Sequence, residues 1–175
     1  NIRSYVEQTI DFPQGSCLLA GDIGAGKSTI LLAIEFALFG GKRGELASSS
    51  LLRNGAYAGR IDLTIELHGK EVKISRTLKR TPLSVKQDAG YIVLNNERMD
   101  ATPTELRAKV IDLLGYPKEA ITKPRDLIYR YTVFTPQEEM RQILYDDKEA
   151  RLDTLRKVFQ IDKYKRIKEN GLLVA

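Results

Sequence analysis

Residues Gly21-Asp22-Ile23-Gly24-Ala25-Gly26-Lys27-Ser28 match the pattern G-x-x-x-x-G-K-[ST] in full. Glycines at those positions let the backbone turn so that successive N–H groups converge on phosphate oxygens. Lys27 then reaches the outer phosphates and the Ser28 hydroxyl reaches a magnesium ion. The flanks agree. Ser16 to Ala20 (SCLLA) is short and mostly apolar, as expected of a strand buried on both faces, and Lys27 to Phe39 (KSTILLAIEFALF) is rich in helix formers before a stop at Gly40-Gly41. Strand, glycine loop and helix start therefore come in the order that aims a helix dipole at an anion. A glycine-rich turn that binds nothing is the bland alternative, and this context argues against it.

The 175 residues suffice for one domain or for half of a larger one. The chain opens on Asn1 inside a recognisable pattern and closes on what reads as the first turns of a longer helix, so it is expected to be a fragment. A net charge of +5 permits a polyanionic partner without requiring one. Cys17 is the single cysteine, which rules out an internal disulfide, and its place in the expected strand makes it a core residue in a reducing compartment. No stretch is long and apolar enough to span a bilayer and none resembles a signal peptide, so the chain reads as soluble, intracellular and without a membrane partner.

Before the loop, Asn1 to Tyr5 and Thr9 to Pro13 suggest a strand end and a hairpin, turning at Gln14-Gly15. Beyond the first helix, Gly40 to Ser50 reads as a polar loop. Ile61 to Leu67 alternates strictly and predicts a half-buried strand. His68-Gly69-Lys70 makes the turn, and Val72, Ile74, Arg76 and Leu78 continue the alternation in the returning strand. His68, with no carboxylate, cysteine or second histidine nearby, is a turn residue and not a catalytic base. Tyr91 to Leu94 with Asn95-Asn96 adds another strand and turn, completing an antiparallel meander. Lys73, Arg76, Lys79 and Arg80 form a basic run along the second hairpin strand. It suits either contact with a nucleic-acid backbone or an edge strand guarded by its lysines.

From Thr102 the period becomes helical. Thr102 caps, Pro103 takes the first position, Glu105 completes a capping box, and Leu106, Val110, Leu113 and Leu114 form the apolar stripe before Gly115. Leu127 to Phe134 reads as a strand broken at Thr135-Pro136. Met140 to Leu144 and Asp147 to Phe159 read as helices, and 161–175 as the possible root of a coiled coil.

Several separated segments now agree in order and spacing: Asn1-Ile2-Arg3-Ser4, the glycine loop with its helix, Phe134 with Gln137 just beyond, and Arg151 through Tyr164. Together they resemble the N-terminal half of an ABC-type ATPase head of the SMC and SbcC group, and most closely the Rad fifty type of DNA double-strand-break repair ATPase. The resemblance covers almost the whole chain. It implies an α/β P-loop NTPase fold, an N-terminal lobe (1–160) with a mixed sheet, an antiparallel meander and flanking helices, followed by a truncated coiled coil (161–175).

Roles follow from the same resemblance. Asp22, Ile23, Gly24, Ala25, Gly26, Lys27, Ser28 and Thr29 would surround the phosphates of ATP, with Lys27 and Gln137 as catalytic groups and Ser28 and Gln137 on Mg2+. Arg3 and Ser4 would approach the nucleotide from the first strand, and Leu52, Arg53 and Asn54 from a neighbouring loop. Implied partners are the protein's own C-terminal lobe, a second head in a homodimer, double-stranded DNA and a nuclease of the Mre eleven type. The implied location is the nucleoid-associated cytoplasm of a prokaryote, or the nucleus of a eukaryote. A chromosome-organising SMC-like ATPase without a nuclease is the alternative.

The chain departs from the family in one loop position, with Ile23-Gly24 where many relatives carry Asn-Gly. It also shows no apolar strand ending in Asp-Glu, no Leu-Ser-Gly-Gly signature and no switch histidine. Hydrolysis needs a group that orients water beside the γ-phosphate. The chain alone is therefore expected to bind nucleotide and not to turn it over.

Overall fold

The computed structural model describes residues 1–41 and 48–115, together with 145, 147–149, 151–152 and 156. Two compact units divide the chain, Asn1–Lys118 and Glu119–Ala175. In the second, the described residues Lys148, Glu149, Arg151, Leu152 and Arg156 are helical, and the Arg151 N–H donates to the Asp147 carbonyl at 3.0 Å. This accords with the helix expected from Asp147. The expected strand 127–134, Gln137 and the coil from 161 lie outside the described residues.

The first unit runs α1 (Lys27–Phe39), α2 (Ser48–Leu51), β1 (Ala58–Leu67), β2 (Lys70–Arg80), β3 (Val85–Gln87), β4 (Gly90–Leu94), β5 (Glu97–Ala101) and α3 (Pro103–Leu113). β2 is the spine of the five-stranded sheet. One of its edges pairs with β1 from end to end, and the other carries β4 at Val72–Ser75 and β3 at Leu78–Arg80. Every pair is antiparallel, so the sheet expected to be mixed is antiparallel among the described residues. β3 and β5, too short or too charged for a clear alternation, had no counterpart in the sequence reading.

Local chemistry sets the two tight hairpins. Leu67 pairs with Lys70 across His68-Gly69, and Leu94 with Glu97 across Asn95-Asn96. All four turn residues have positive φ, between 52° and 72°, the left-handed geometry that matches strand twist in two-residue hairpins. At the start of α3 the expected capping box is present. The Thr102 N–H and hydroxyl both donate to Glu105 Oε2, at 2.9 and 2.7 Å, and these bonds hold the Glu105 carboxyl below the usual carboxylate range.

Alternation decides what the sheet buries. Val72, Ile74, Arg76 and Leu78 of β2 point to the inner face, all but solvent-free. Leu106, Val110 and Ile111 of α3 are buried with them, and α3 packs on β4 and β5. At the other end, Ile2, Phe36, Leu51, Leu52 and Leu78 form a core cluster that joins the N-terminus, α1, α2 and β2.

Arg76 corrects one expectation. It does not face a nucleic-acid backbone: it is completely buried, with Nε donating to the Ala37 carbonyl at 2.7 Å and Nη2 to the Leu38 carbonyl at 3.0 Å. Burial, and secondarily the charge of Arg107, lower its pKa to about 10. The group therefore stays cationic at neutral pH and sits where the dipole of α1 is negative. α1 has no basic residue in its own last turn, so β2 supplies the charge. Gln87 of β3 adds to this end by accepting from the Gly41 N–H at 3.1 Å.

Three further expectations change. Ser16–Ala20 forms no strand. Cys17 is exposed and Leu18 is 88% exposed, because an apolar run becomes a strand only when a neighbour pairs with it, and none of the described strands does. The expected N-terminal hairpin is instead a single tight turn from Ile2 to Tyr5, with Ile2 also bridging to Leu52. Within the expected loop Gly40–Ser50, Ser48–Leu51 makes one helical turn.

Replacing Arg76 with alanine strips two buried carbonyls of their donors. With unsatisfied buried groups costing about 1–3 kcal/mol each, Arg76→Ala is expected to lower unfolding free energy by about 2–5 kcal/mol in urea titration. Arg76→Lys should recover less than half of that, because a single ammonium cannot reproduce the fork.

Candidate functional site

The glycine loop runs without regular structure into α1. Gly21, Gly24 and Gly26 all have positive φ, at 151°, 85° and 92°. Gly26 is the N-cap of α1, and no side chain caps it. The first turn of the helix carries no acidic residue, so no carboxylate of that turn competes for its N–H groups and dipole. Inside the loop, the Lys27 ammonium donates to the carbonyls of Gly21 at 2.6 Å and Asp22 at 2.7 Å, and the Ala25 N–H donates to Asp22 at 3.2 Å. Ser28 is exposed on the first turn, Thr29 is buried, and Ile23 is fully exposed at the crest.

Behind the loop sits the Ile2–Tyr5 turn. Ile2 and Tyr5 exchange two backbone hydrogen bonds of 2.8 Å, leaving Arg3 and Ser4 at the tip, Arg3 with φ 47°. A non-glycine residue in this region is held there by its surroundings. The Arg3 N–H donates to the Leu51 carbonyl at 2.9 Å, and its Nε donates to the Ser50 carbonyl at 2.9 Å. Arg53 Nη1 donates to the carbonyls of Arg3 at 3.2 Å and Ser4 at 2.8 Å. The turn in its place meets the loop: the Tyr5 hydroxyl donates to the Gly26 carbonyl at 3.3 Å. A Cβ on Gly26 would lie 2.6 Å from Ser4 Oγ and 2.9 Å from Tyr5 Cε2.

The fold thus brings Ser4 and Tyr5 against the loop and ties Arg3 and Ser4 to Arg53, although these residues are far apart in sequence. A pocket of about 540 Å³ opens beside the Arg3 turn, lined by Arg3, Ser49, Ser50, Leu52, Arg53 and Asn54, with no residue of the glycine loop in its wall. Tyr5, Ser49 and Ser50 were missed by the sequence reading. Tyr5 reaches the loop through a hydroxyl contact 21 residues away, and Ser49 and Ser50 share a pocket wall with Arg3; no local pattern announces either.

The basic run on β2 is not one surface. Arg76 is buried, and Arg80 is half-buried with Nε on the Ala56 carbonyl at 3.0 Å and Nη2 on the Arg53 carbonyl at 3.3 Å. Lys73 is exposed. Lys79 is exposed and pairs with Asp88 at 3.4 Å, while Arg60 with Asp62 and Arg98 with Asp100 add further mixed pairs. Arg98 also lies over the Tyr91 ring, 4.0 Å from its centroid.

Among the described residues no cluster of three or more histidine, cysteine, aspartate or glutamate side chains is arranged to hold a metal. The exposed Ser28 hydroxyl at the start of α1 is an oxygen donor of the kind that a hard cation held on phosphate oxygens would take. No helix among the described residues is long and apolar enough to cross a membrane.

Comparison with known proteins agrees with this geometry. An AAA domain profile matches residues 1–172. The chain belongs to the AAA domain family. This AAA domain is similar to the DNA double-strand break repair Rad50 ATPase of Thermoplasma acidophilum, 30% identical over 164 residues, which cover 93% of the chain and 17% of that protein. The protein of the same name from Methanococcus maripaludis is 24% identical over 174 residues, 99% of the chain and 16% of that protein. The one from Archaeoglobus fulgidus is 41% identical over 76 residues, 43% of the chain and 9% of that protein. The AAA domain thus spans about a sixth of the first two relatives, and the likeness supports the Rad50-like head read from the sequence.

Gly26 separates loop geometry from loop flexibility. Gly26→Ala is expected to cost about 2 kcal/mol or more, since it adds a left-handed penalty of roughly 1–2 kcal/mol to displacement of Ser4 and Tyr5. Gly24→Ala, where a Cβ meets nothing within 4 Å, should pay the φ penalty alone. Chemical denaturation of the two variants side by side measures the difference.

Proposed function

We propose that this AAA domain is the ATP-binding N-terminal lobe of a Rad50-type, SMC-like head. The observation that carries the reading is the loop at the start of α1 with the Arg3–Tyr5 turn packed behind it, in a chain similar to Rad50 ATPases over nearly its whole length. Backbone N–H groups of Gly24 to Thr29 cradle the phosphates, and Lys27 exchanges its loop carbonyls for phosphate oxygens. Asp22 and Ile23 border this cradle. Arg3 and Ser4 approach from the turn, and Leu52, Arg53 and Asn54 from the neighbouring loop.

Mg2+, when bound with ATP, neutralises phosphate charge. Ser28 would hold it, with Gln137 as the second ligand and the group that orients water. The remaining parts of the hydrolytic site come from the protein's own C-terminal lobe and from a second head in a homodimer. That complete head is an ATPase that uses closure on ATP and reopening on hydrolysis to act on double-stranded DNA with a nuclease of the Mre eleven type. It works beside DNA, in the nucleoid-associated cytoplasm of a prokaryote or in a nucleus.

Calorimetry with MgATP tests the binding step. Lys27→Ala should weaken binding at least tenfold, and the 175-residue chain should release no phosphate above background. Turnover by this chain that vanishes in Lys27→Ala would overturn the division of labour between lobes.

For DNA, only Lys73 and Lys79 of the basic run on β2 remain available. Their double substitution by glutamine in the complete head is expected to reduce the slope of log affinity against log salt by one to two, the counterions released by one or two phosphate contacts. An unchanged slope would take this face out of the DNA footprint.

A further inference from the structure

The Gly26–Lys27 peptide is the last unit of the loop before α1, and its carbonyl has two donors. One is the Thr29 N–H at 2.9 Å, part of the first turn of the helix. The other is the Tyr5 hydroxyl at 3.3 Å, from a segment 21 residues away. A trans peptide is planar, with C=O and N–H antiparallel, and the described residues contain no cis peptide. Holding the Gly26 oxygen toward the helix and Tyr5 therefore turns the Lys27 N–H the opposite way, out of the helix end and into the loop. No side chain caps this end of α1, and glycine at position 26 has no Cβ to restrict rotation of the peptide plane. Without a second restraint that plane is free to rock.

We propose that Tyr5 is a positioning residue for phosphate binding: its hydroxyl fixes the Gly26–Lys27 peptide so that the Lys27 amide is already aimed at the phosphate oxygens of the nucleotide. This inference rests on the ATP-binding reading above. The turn that carries Tyr5 is itself locked. Ile2 is buried in the core cluster, and Tyr5 is tied to it by two 2.8 Å backbone bonds. Arg53 holds the intervening carbonyls. The hydroxyl thus reports the position of the core to the loop, and preorganisation of this kind raises affinity by sparing the cost of ordering the peptide on binding.

The test compares Tyr5→Phe with the unsubstituted complete protein, using MgATP as the probe and titration calorimetry as the measurement. Phenylalanine keeps the ring that packs beside Gly26 and removes only the donor. The expected result is a three- to tenfold weaker Kd for MgATP with an unchanged thermal midpoint in the absence of nucleotide. An unchanged Kd overturns the proposal, and so does a loss of affinity that comes with an equal fall in the nucleotide-free midpoint, because that is a folding effect. Lys27→Ala, measured in parallel, separates the two readings. If Lys27→Ala weakens binding and Tyr5→Phe does not, only the role of Tyr5 fails. If neither variant weakens binding, the ATP site itself has been misplaced.

Discussion

The buried guanidinium of Arg76 is the interaction on which the arrangement depends. It donates to the carbonyls of Ala37 and Leu38, the last turn of the helix that begins at Lys27. A helix is stiff along its axis, so fixing its far end against the spine of the sheet also fixes where its first turn emerges. The positive charge is stabilised there by the helix dipole, and its burial cost is offset by these hydrogen bonds, with no carboxylate paired to it among the described residues. An arginine that resembled surface charge in the sequence is the joint between the sheet and the loop helix.

At the opposite end of the helix the restraints are softer and more numerous. Arg80, at the end of β2, holds the carbonyls of Arg53 and Ala56. Arg53 holds the carbonyls of Arg3 and Ser4, and the turn they form rests on Gly26. The same strand thus reaches the loop helix twice, directly through Arg76 and indirectly through Arg80 and Arg53. All of these contacts are side-chain donors on backbone acceptors, so they constrain the main chain without requiring particular neighbours to be charged.

Much of this was legible in the sequence where the determinant is local. Period-two alternation placed β1 and β2, residues tolerant of positive φ marked both two-residue turns, and Thr102 with Glu105 marked the start of α3. The alternation Val72, Ile74, Arg76, Leu78 also placed Arg76 on the inner face. Grouping it with Lys73 and Lys79 by charge set that geometry aside. Ser16–Ala20 shows the converse, since its apolar content is a property of the segment while strand pairing is a property of two. The glycine loop was evident from eight residues. Arg3, Ser4 and Arg53 were placed beside it only by resemblance, because the bonds that bring them together span about fifty positions. Tyr5 had no signal at all.

Arg3 carries one more consequence. Its backbone sits at φ 47°, a conformation that glycine adopts at no steric cost and arginine adopts against a penalty. The bond from its Nε to the Ser50 carbonyl offsets part of that penalty, and glycine would lose it. Glycine at this tip would therefore relieve the backbone and cut the tie between the turn and the segment before Leu51 in one step, so two opposed local effects set the stability of the position.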